Sequence, residues 1–301
     1  MNKEKGTVKY SEIVVNIINR SPEERIEWLR QPRWIGYGKA KEILDKLEEL
    51  ISWPKVHRMP NLLILGHTNN GKTTIVEHFV KKHPAEDLPN EDFASVPVLL
   101  VQAPPKPDES RFYNVILDKL FAPYKATEHV SKRQAQVLSI LKSVNCRMLI
   151  IDEIHHIIAG RQDAQRQFLN VIKYLGNELQ IPIVGVGIKE AIRAIQSDPQ
   201  LANRFEPIAI PRWELNPDFQ KLLASFERVL PLKIASNLHQ KDLARELYVR
   251  SEGSIGELSR LVNELSIEAI KSGVEKIDLK LVQNSNWVSP SERRRAAEKL
   301  L

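Results

Sequence analysis

The chain predicts an α/β fold: a parallel sheet of five strands covered by helices, with a helical extension before it and a smaller all-helical unit after it. Three observations carry that prediction. Short apolar runs alternate with amphipathic stretches between about 61 and 210, the pattern of a parallel sheet buried on both faces. Strand-like runs then stop, and from Asn216 onward only helical periodicity remains. Finally, 301 residues suffice for one large domain and a smaller one.

Residues 1 to 53 read as a helical extension. Ser21-Pro22-Glu23-Glu24 is a helix start, with serine as N-cap, proline at the first position and acids in the first turn. A second helix follows RWIGYGKA (33–40) and carries Ile43, Leu44, Leu47, Leu50 and Ile51 on one face, and Trp53-Pro54 ends it. The α/β domain is expected over 54–213. Its strands are LLIL (62–65), VPVLLVQ (96–102), MLIID (148–152), IPIVGVG (181–187) and, as the weakest signal, PIAI (207–210). Helices are expected at about 71–82, 109–121, 131–143, 163–179 and 189–196. Helical patterns at about 217–229, 239–250, 255–271 and 278–284 form the C-terminal unit, 214–285, and a short basic tail over 286–301 follows, ending in the amphipathic stretch SPSERRRAAEKLL (289–301).

Composition narrows the function classes without choosing among them. Hydrophobic content of 42% and charged content of 27% are those of an ordinary globular protein. No apolar run approaches the roughly 20 residues that span a bilayer. The opening MNKEKGTVKY lacks the apolar core of a secretion signal. A single cysteine, Cys146, excludes an internal disulfide and a cysteine-based zinc site and suits a reducing cytosol. A net charge of +6 suits an anionic partner such as nucleic acid, and equally suits plain solubility.

The chemistry begins at GHTNNGKT (66–73), which fits G-x-x-x-x-G-K-[ST]. Glycines let backbone N–H groups wrap a polyphosphate, and a helix N-terminus adds partial positive charge. Gly66, His67, Thr68, Asn69, Asn70, Gly71, Lys72, Thr73 and Thr74 are therefore the candidate nucleotide-binding residues. Lys72 is placed to reach the β- and γ-phosphates, and the Thr73 hydroxyl to ligate Mg²⁺. The strand RMLIID delivers Asp152 and Glu153 at its carboxyl end, where ligands sit in open α/β sheets. Asp152 is expected to hold Mg²⁺ through water and Glu153 to orient the attacking water. Paired acids favour ATP hydrolysis, and no guanine-reading N/T-K-x-D signature is present. His155 and His156 suggest a metal, but adjacent positions on a helix do not face one another and the sequence shows no third ligand nearby. His155 is read instead as coupling the Glu153 loop to a neighbour, or as a surface or core histidine.

The order of phosphate loop, acidic strand, intervening strand and helical lid is that of the AAA+ ATPases. The wording RWIGYGKA, RMPNLLILGHTNNGKTTIVEHF, LIIDEIHHIIAG, FLNVIKYLGNELQIPIVGVG and LANRFEPIAIPRWE resembles the TniB-type, or TnsC-like, transposition ATPases over roughly residues 30 to 270. The resemblance implies an ATP-dependent regulator that assembles as a homo-oligomer on double-stranded DNA, recruits or activates a DDE transposase, and helps select the insertion target together with a target-selection protein. It implies a cytoplasmic, nucleoid-associated protein with no membrane partner. Arg204, in LANRFEPI, matches the arginine finger that reaches a neighbouring subunit's γ-phosphate; a surface salt bridge is the alternative. Trp34, Ile35 and Tyr37 match the segment that packs near the base, or they anchor the N-terminal helices. Two positions depart from the pattern. Ile188 stands where the first sensor is usually polar, and Gly256 where the second sensor is usually arginine, with Arg260 one turn on. Both departures imply slow hydrolysis, suited to an assembly switch.

The stretch QAPPKPDESRFYNVILDKLFAPYKATEHVSKRQ lies where loops of AAA+ DNA binders face the axial channel. Lys106, Arg111, Lys125, Thr127, Lys132 and Arg133 are candidates for phosphate contacts, which position a protein without reading sequence. Solvated charged faces are the bland alternative. With no helix-turn-helix and no aromatic-basic stripe, the expectation is backbone binding with little base specificity. A helicase loader or DNA remodeller, and a nucleotide-dependent signalling scaffold without DNA, are the competing functions.

Overall fold

The computed structural model describes residues 12–87, 94–125 and 127–300. The opening MNKEKGTVKY, on which the absence of a secretion signal was read, lies outside them, as does the last residue of the tail. Among the described residues, no helix is long and apolar enough to cross a membrane.

The chain forms two compact units, one spanning Lys39–Pro211 and the other built from the described residues up to Gly38 together with those from Arg212 onward. The first contains five parallel strands: β1 (Asn61–Gly66), β2 (Val98–Gln102), β3 (Met148–Asp152), β4 (Ile183–Gly187) and β5 (Phe205–Ile210). They lie in the order β2-β3-β4-β1-β5. Leu62 pairs with Val184 on one side, and Asn61 with Phe205 on the other. Every residue of β3 and β4 is buried, as parallel strands covered on both faces require. The weakest strand signal, PIAI, belongs to an edge strand with exposed positions at Glu206, Pro207 and Ala209. Proline is tolerated at such an edge. Asn61 opens β1 from inside the sheet: its Oδ1 accepts from the Ile183 N–H at 2.9 Å, which satisfies a polar group only 6% exposed.

Helix α3 (Gly38–Ile51) packs within this unit with Ile43, Leu44, Leu47, Leu50 and Ile51 buried. It is held by Arg147, which donates to the Ile51 carbonyl at 2.7 Å, by an ion pair of Lys46 with Glu206, and by a hydrogen bond between His83 Nε2 and Glu48 Oε2 at 3.0 Å. The sequence expectation assigned this helix to an N-terminal extension ending at residue 53. Its apolar face instead joins it to the sheet-bearing unit, because its buried stripe needs a large partner. Helices α4 (Lys72–Lys82), α5 (Glu109–Lys119), α6 (Val130–Ser143), α7 (Gln162–Leu179), α8 (Glu190–Gln196) and α9 (Pro199–Ala202) complete the unit, with a 3₁₀ turn over Ile154–Ala159. A short antiparallel pair, Glu86–Asp87 with Ala94–Ser95, was not expected.

The second unit holds α1 (Glu12–Ile18), α2 (Pro22–Arg30), α10 (Pro217–Glu227), α11 (Lys241–Ser251), α12 (Ile255–Lys271), α13 (Leu279–Asn284) and α14 (Pro290–Glu298). Ser21 caps α2 in a capping box with Glu24, the arrangement its sequence announced. Arg25 of α2 is 1% exposed and pairs with Glu275 through two hydrogen bonds, at 2.9 and 2.7 Å. The tail is docked rather than separate. Trp287 Nε1 donates to the Arg250 carbonyl at 3.0 Å, the Trp287 ring lies beneath Arg260 and Arg293, and Arg293 pairs with Glu257.

Candidate nucleotide site

The phosphate loop turns sharply out of β1. Gly66 leaves little room for a side chain, since a Cβ there would meet the Ile210 carbonyl oxygen at 3.1 Å. Asn69 (φ 59°) and Gly71 (φ 81°) take left-handed backbone, and glycine at 71 accommodates it without a Cβ penalty at the N-cap of α4. Asn70 anchors the loop. Its side chain is 1% exposed and donates to the carbonyls of Ile210 and Pro211 at 3.0 and 2.9 Å, tying the loop to the end of β5. His67, Thr68, Thr73 and Thr74 are exposed around it. Lys72 folds back over the loop, donating to Gly66 O at 3.0 Å and His67 O at 2.8 Å. Burial lowers the pKa of this ammonium, against the pull of Glu153 and then Asp152.

The carboxylates arrive from β3. Thr73 Oγ1 donates to Asp152 Oδ2 at 2.7 Å, and Asp152 Oδ1 accepts from the Glu153 N–H, also at 2.7 Å. A hydroxyl and a carboxylate held together at the mouth of a phosphate loop are hard oxygen donors, the set that Mg²⁺ takes alongside phosphate oxygens. Glu153 itself sits in left-handed backbone (φ 53°), which turns the chain into the 3₁₀ segment Ile154–Ala159. That turn rests on two glycines of β4. A Cβ on Gly185 would meet Ile154 Cδ1 at 2.8 Å, and one on Gly187 would meet Ile154 Cγ2 at 3.3 Å. The sequence places GVG within a strand. Glycine inside a strand pattern signals such a close approach.

Glu153 Oε2 lies 3.1 Å from His155 Nδ1, and the rings of His155 and His156 are 4.8 Å apart. Burial lowers the His155 pKa, opposed by Glu153 and reinforced by His156 and Lys72. The expectation that no third metal ligand lies near the two histidines is corrected here: ligand atoms of Glu153, His155 and His156 lie within 4.8 Å of one another. The 3₁₀ path and the reversal at Glu153 bring together side chains that an α-helix would have splayed.

The remaining candidates divide. Arg204 is half-buried beside β5 and donates to Asn177 Oδ1 at 2.7 Å, in a groove it shares with Trp53, Arg58 and Asn203. Ile188 places an apolar side chain just after β4. In the helical unit, Ile35 and Tyr37 pack against the core of that unit, with Tyr37 edge-on to Trp213 at 5.2 Å and its phenol pushed up to about 12 by burial. Trp34 beside them is partly buried. Gly256 lies in the first turn of α12, and Arg260 pairs with Glu264. Of the DNA candidates, Lys106, Arg111, Lys125, Thr127 and Lys132 are exposed, with Arg111 3.4 Å from Asp108. Arg133 is corrected. It is 5% exposed and braces α5 against α6 through Ser110, Asn114 Oδ1 (2.9 Å) and the Glu128 carbonyl (2.8 Å), so its guanidinium is not offered to a phosphate backbone.

A phosphate loop on β1, an acid on β3 and β4 between them define an α/β P-loop fold of the AAA+ class. The chain matches the family described as bacterial TniB protein over residues 25–215, and it belongs to that family. It is also 29% identical over 155 residues to the chaperone protein ClpB of Mycoplasma genitalium, and 24% identical over 167 residues to the ATP-dependent Clp protease ATP-binding subunit ClpE of Bacillus subtilis. These matches cover 50% and 55% of this chain but only 20% and 22% of the relatives. Among solved structures, the Aeropyrum pernix ORC2 protein, described in ADPNP–ADP complexes, superposes with a TM-score of 0.61 at 14% identity, covering 85% of this chain and 70% of that one. Domain III of the Thermotoga maritima replication initiation protein DnaA gives 0.52 at 14% identity, covering 85% and 92%. Both are similar in fold.

Proposed function

We propose that this chain is an ATP- and Mg²⁺-dependent regulator of DNA transposition. It assembles head to tail as a helical filament on duplex DNA and recruits or activates a DDE transposase at the target site, with slow hydrolysis controlling disassembly. The observation that carries the nucleotide reading is the Thr73–Asp152 contact at 2.7 Å, between the residue that follows Lys72 and the residue that precedes Glu153. Membership of the TniB family supports the transposition reading.

In this reading, Lys72 exchanges the Gly66 and His67 carbonyls for β- and γ-phosphate oxygens, and the loop N–H groups and the N-terminus of α4 hold the rest of the polyphosphate. Thr73 and Asp152 hold Mg²⁺, which when bound neutralises charge developing on the β- and γ-oxygens. Glu153 accepts a proton from the attacking water. Arg204 acts in trans on the neighbouring subunit's nucleotide. A heterologous interface of that kind gives a filament when its rotation does not close. Lys106, Arg111, Lys125, Thr127 and Lys132 supply backbone contacts, so affinity falls linearly with the logarithm of salt concentration.

Sedimentation with ATP and linear duplex DNA tests the reading. Glu153→Gln, which keeps the shape but removes the base, accumulates DNA-bound assemblies, and Lys72→Ala forms none. Assembly of Lys72→Ala to the wild-type extent overturns nucleotide control.

A further inference from the structure

We propose that Glu153, His155 and His156 form a binding site for a first-row divalent transition metal, Zn²⁺ being the fit, and that the ion brakes ATP hydrolysis by engaging the Glu153 carboxylate. The braking role rests on the proposed function of Glu153; the metal site does not.

Two imidazoles and one carboxylate are a borderline donor set that favours Zn²⁺ or Co²⁺ over Mg²⁺, which takes oxygen ligands. The three side chains lie on one turn, and their ligand atoms fall within 4.8 Å of one another. Ligands around one zinc ion sit about 3.3–3.5 Å apart at metal distances near 2.0–2.2 Å, so rotations of the two rings close the set. Two further details point to an ion rather than to a simple ion pair. His155 Nδ1 is buried and makes no hydrogen bond, although Glu153 Oε2 is 3.1 Å away. That spacing with poor alignment is what two ligands of a shared ion show. On the far side, His156 Nδ1 lies 3.4 Å from the Ala103 carbonyl oxygen, leaving Nε2 for the ion. A backbone carbonyl behind the second ring nitrogen is the usual means of orienting a ligating histidine.

The backbone holds these residues in register from beneath. Gly185 and Gly187 seat Ile154 against β4, and Gly160 ends the turn where a Cβ would strike Pro107 at 2.4 Å. Three protein ligands leave a fourth position open to water, as in exchangeable rather than structural zinc sites. The Mg²⁺ pair Thr73 and Asp152 contributes none of the three ligands, so both ions can be present at once.

The test is a titration of the full-length protein with Zn²⁺, followed by calorimetry, and with Co²⁺, followed by its visible absorption, both in excess Mg²⁺. One ion per chain is expected, with a tetrahedral-type Co²⁺ spectrum. His155→Ala and His156→Ala each weaken binding by at least about tenfold, while Lys72→Ala, which removes a neighbouring positive charge and no ligand, retains the ion. The more conservative His156→Gln guards against misfolding as the cause of loss. In ATPase assays Zn²⁺ suppresses wild-type turnover but leaves that of His156→Ala insensitive to the metal. Absence of saturable binding, or binding unaffected by both histidine variants, overturns the site. Stoichiometric binding without inhibition overturns the brake alone, and a chain that binds Zn²⁺ normally yet never hydrolyses ATP refutes the role of Glu153 while leaving the site intact.

Discussion

The hydroxyl of Thr73, at the start of α4, donates to the Asp152 carboxylate at the end of β3 across 2.7 Å. Two strands separated by β4 in the sheet thus deliver their functional ends to one point. Thr73→Ala and Asp152→Asn are expected to lower the Mg²⁺-dependent ATPase kcat by on the order of 10², the scale on which loss of a preorganised charge-stabilising group is felt. Steady-state turnover against Mg²⁺ concentration measures it. A change confined to KM, with kcat intact, would place these groups in nucleotide affinity alone.

Asn70 makes a second prediction, about the loop's support. Its amide satisfies the Ile210 and Pro211 carbonyls from a fully buried position. Asn70→Ala leaves those acceptors without that donor and is expected to cost about 1–3 kcal/mol in stability. Urea unfolding checks the cost, and nucleotide titration should show weaker binding as the loop loses its tie to β5.

Much of the frame was legible in the residues. The run MLIID coincides with β3, and the GHTNNGKT loop falls between β1 and α4 because strand, glycine and helix signals there are all local. What escaped were relations between distant segments. No local pattern says that Gly185 lies under Ile154, that Arg133 turns inward between α5 and α6, or that α3 belongs with the sheet. The cluster of Glu153 with two histidines was missed for the same reason: an assumed α-helical path separates residues that a left-handed glutamate and a 3₁₀ turn bring together.

Gly185 therefore carries a third prediction. A methyl group there would press on Ile154 Cδ1 at 2.8 Å and Leu63 Cδ1 at 3.0 Å. Gly185→Ala is expected to shift the turn bearing Glu153, lowering kcat by about tenfold or more while nucleotide affinity, set by the loop on β1, is kept. Equal losses in affinity and turnover would show that the whole sheet had been disturbed.

The helical unit is tested through Arg25 and Glu275. Although burial opposes it, hydrogen bonding and charge from Arg25 hold the Glu275 carboxyl below the usual range. A depressed carboxyl pKa stabilises the fold fully above its unfolded value of about 4.3, and that contribution fades as pH falls through the folded value. Glu275→Gln strands a buried guanidinium and is expected to lower stability near pH 7 by about 3–5 kcal/mol. The wild-type advantage over Glu275→Gln should shrink as the pH is lowered through and below about 4, read from unfolding midpoints. A gap that stays constant across that window would contradict the pairing.

The central claim is that nucleotide in this loop organises the chain on DNA. Negative-stain electron microscopy of the purified protein with linear duplex DNA, with and without a non-hydrolysable ATP analogue, tests it most directly. Filaments coating the DNA only when the analogue is present are the predicted result. Free monomers, or assemblies that form without DNA, would contradict it.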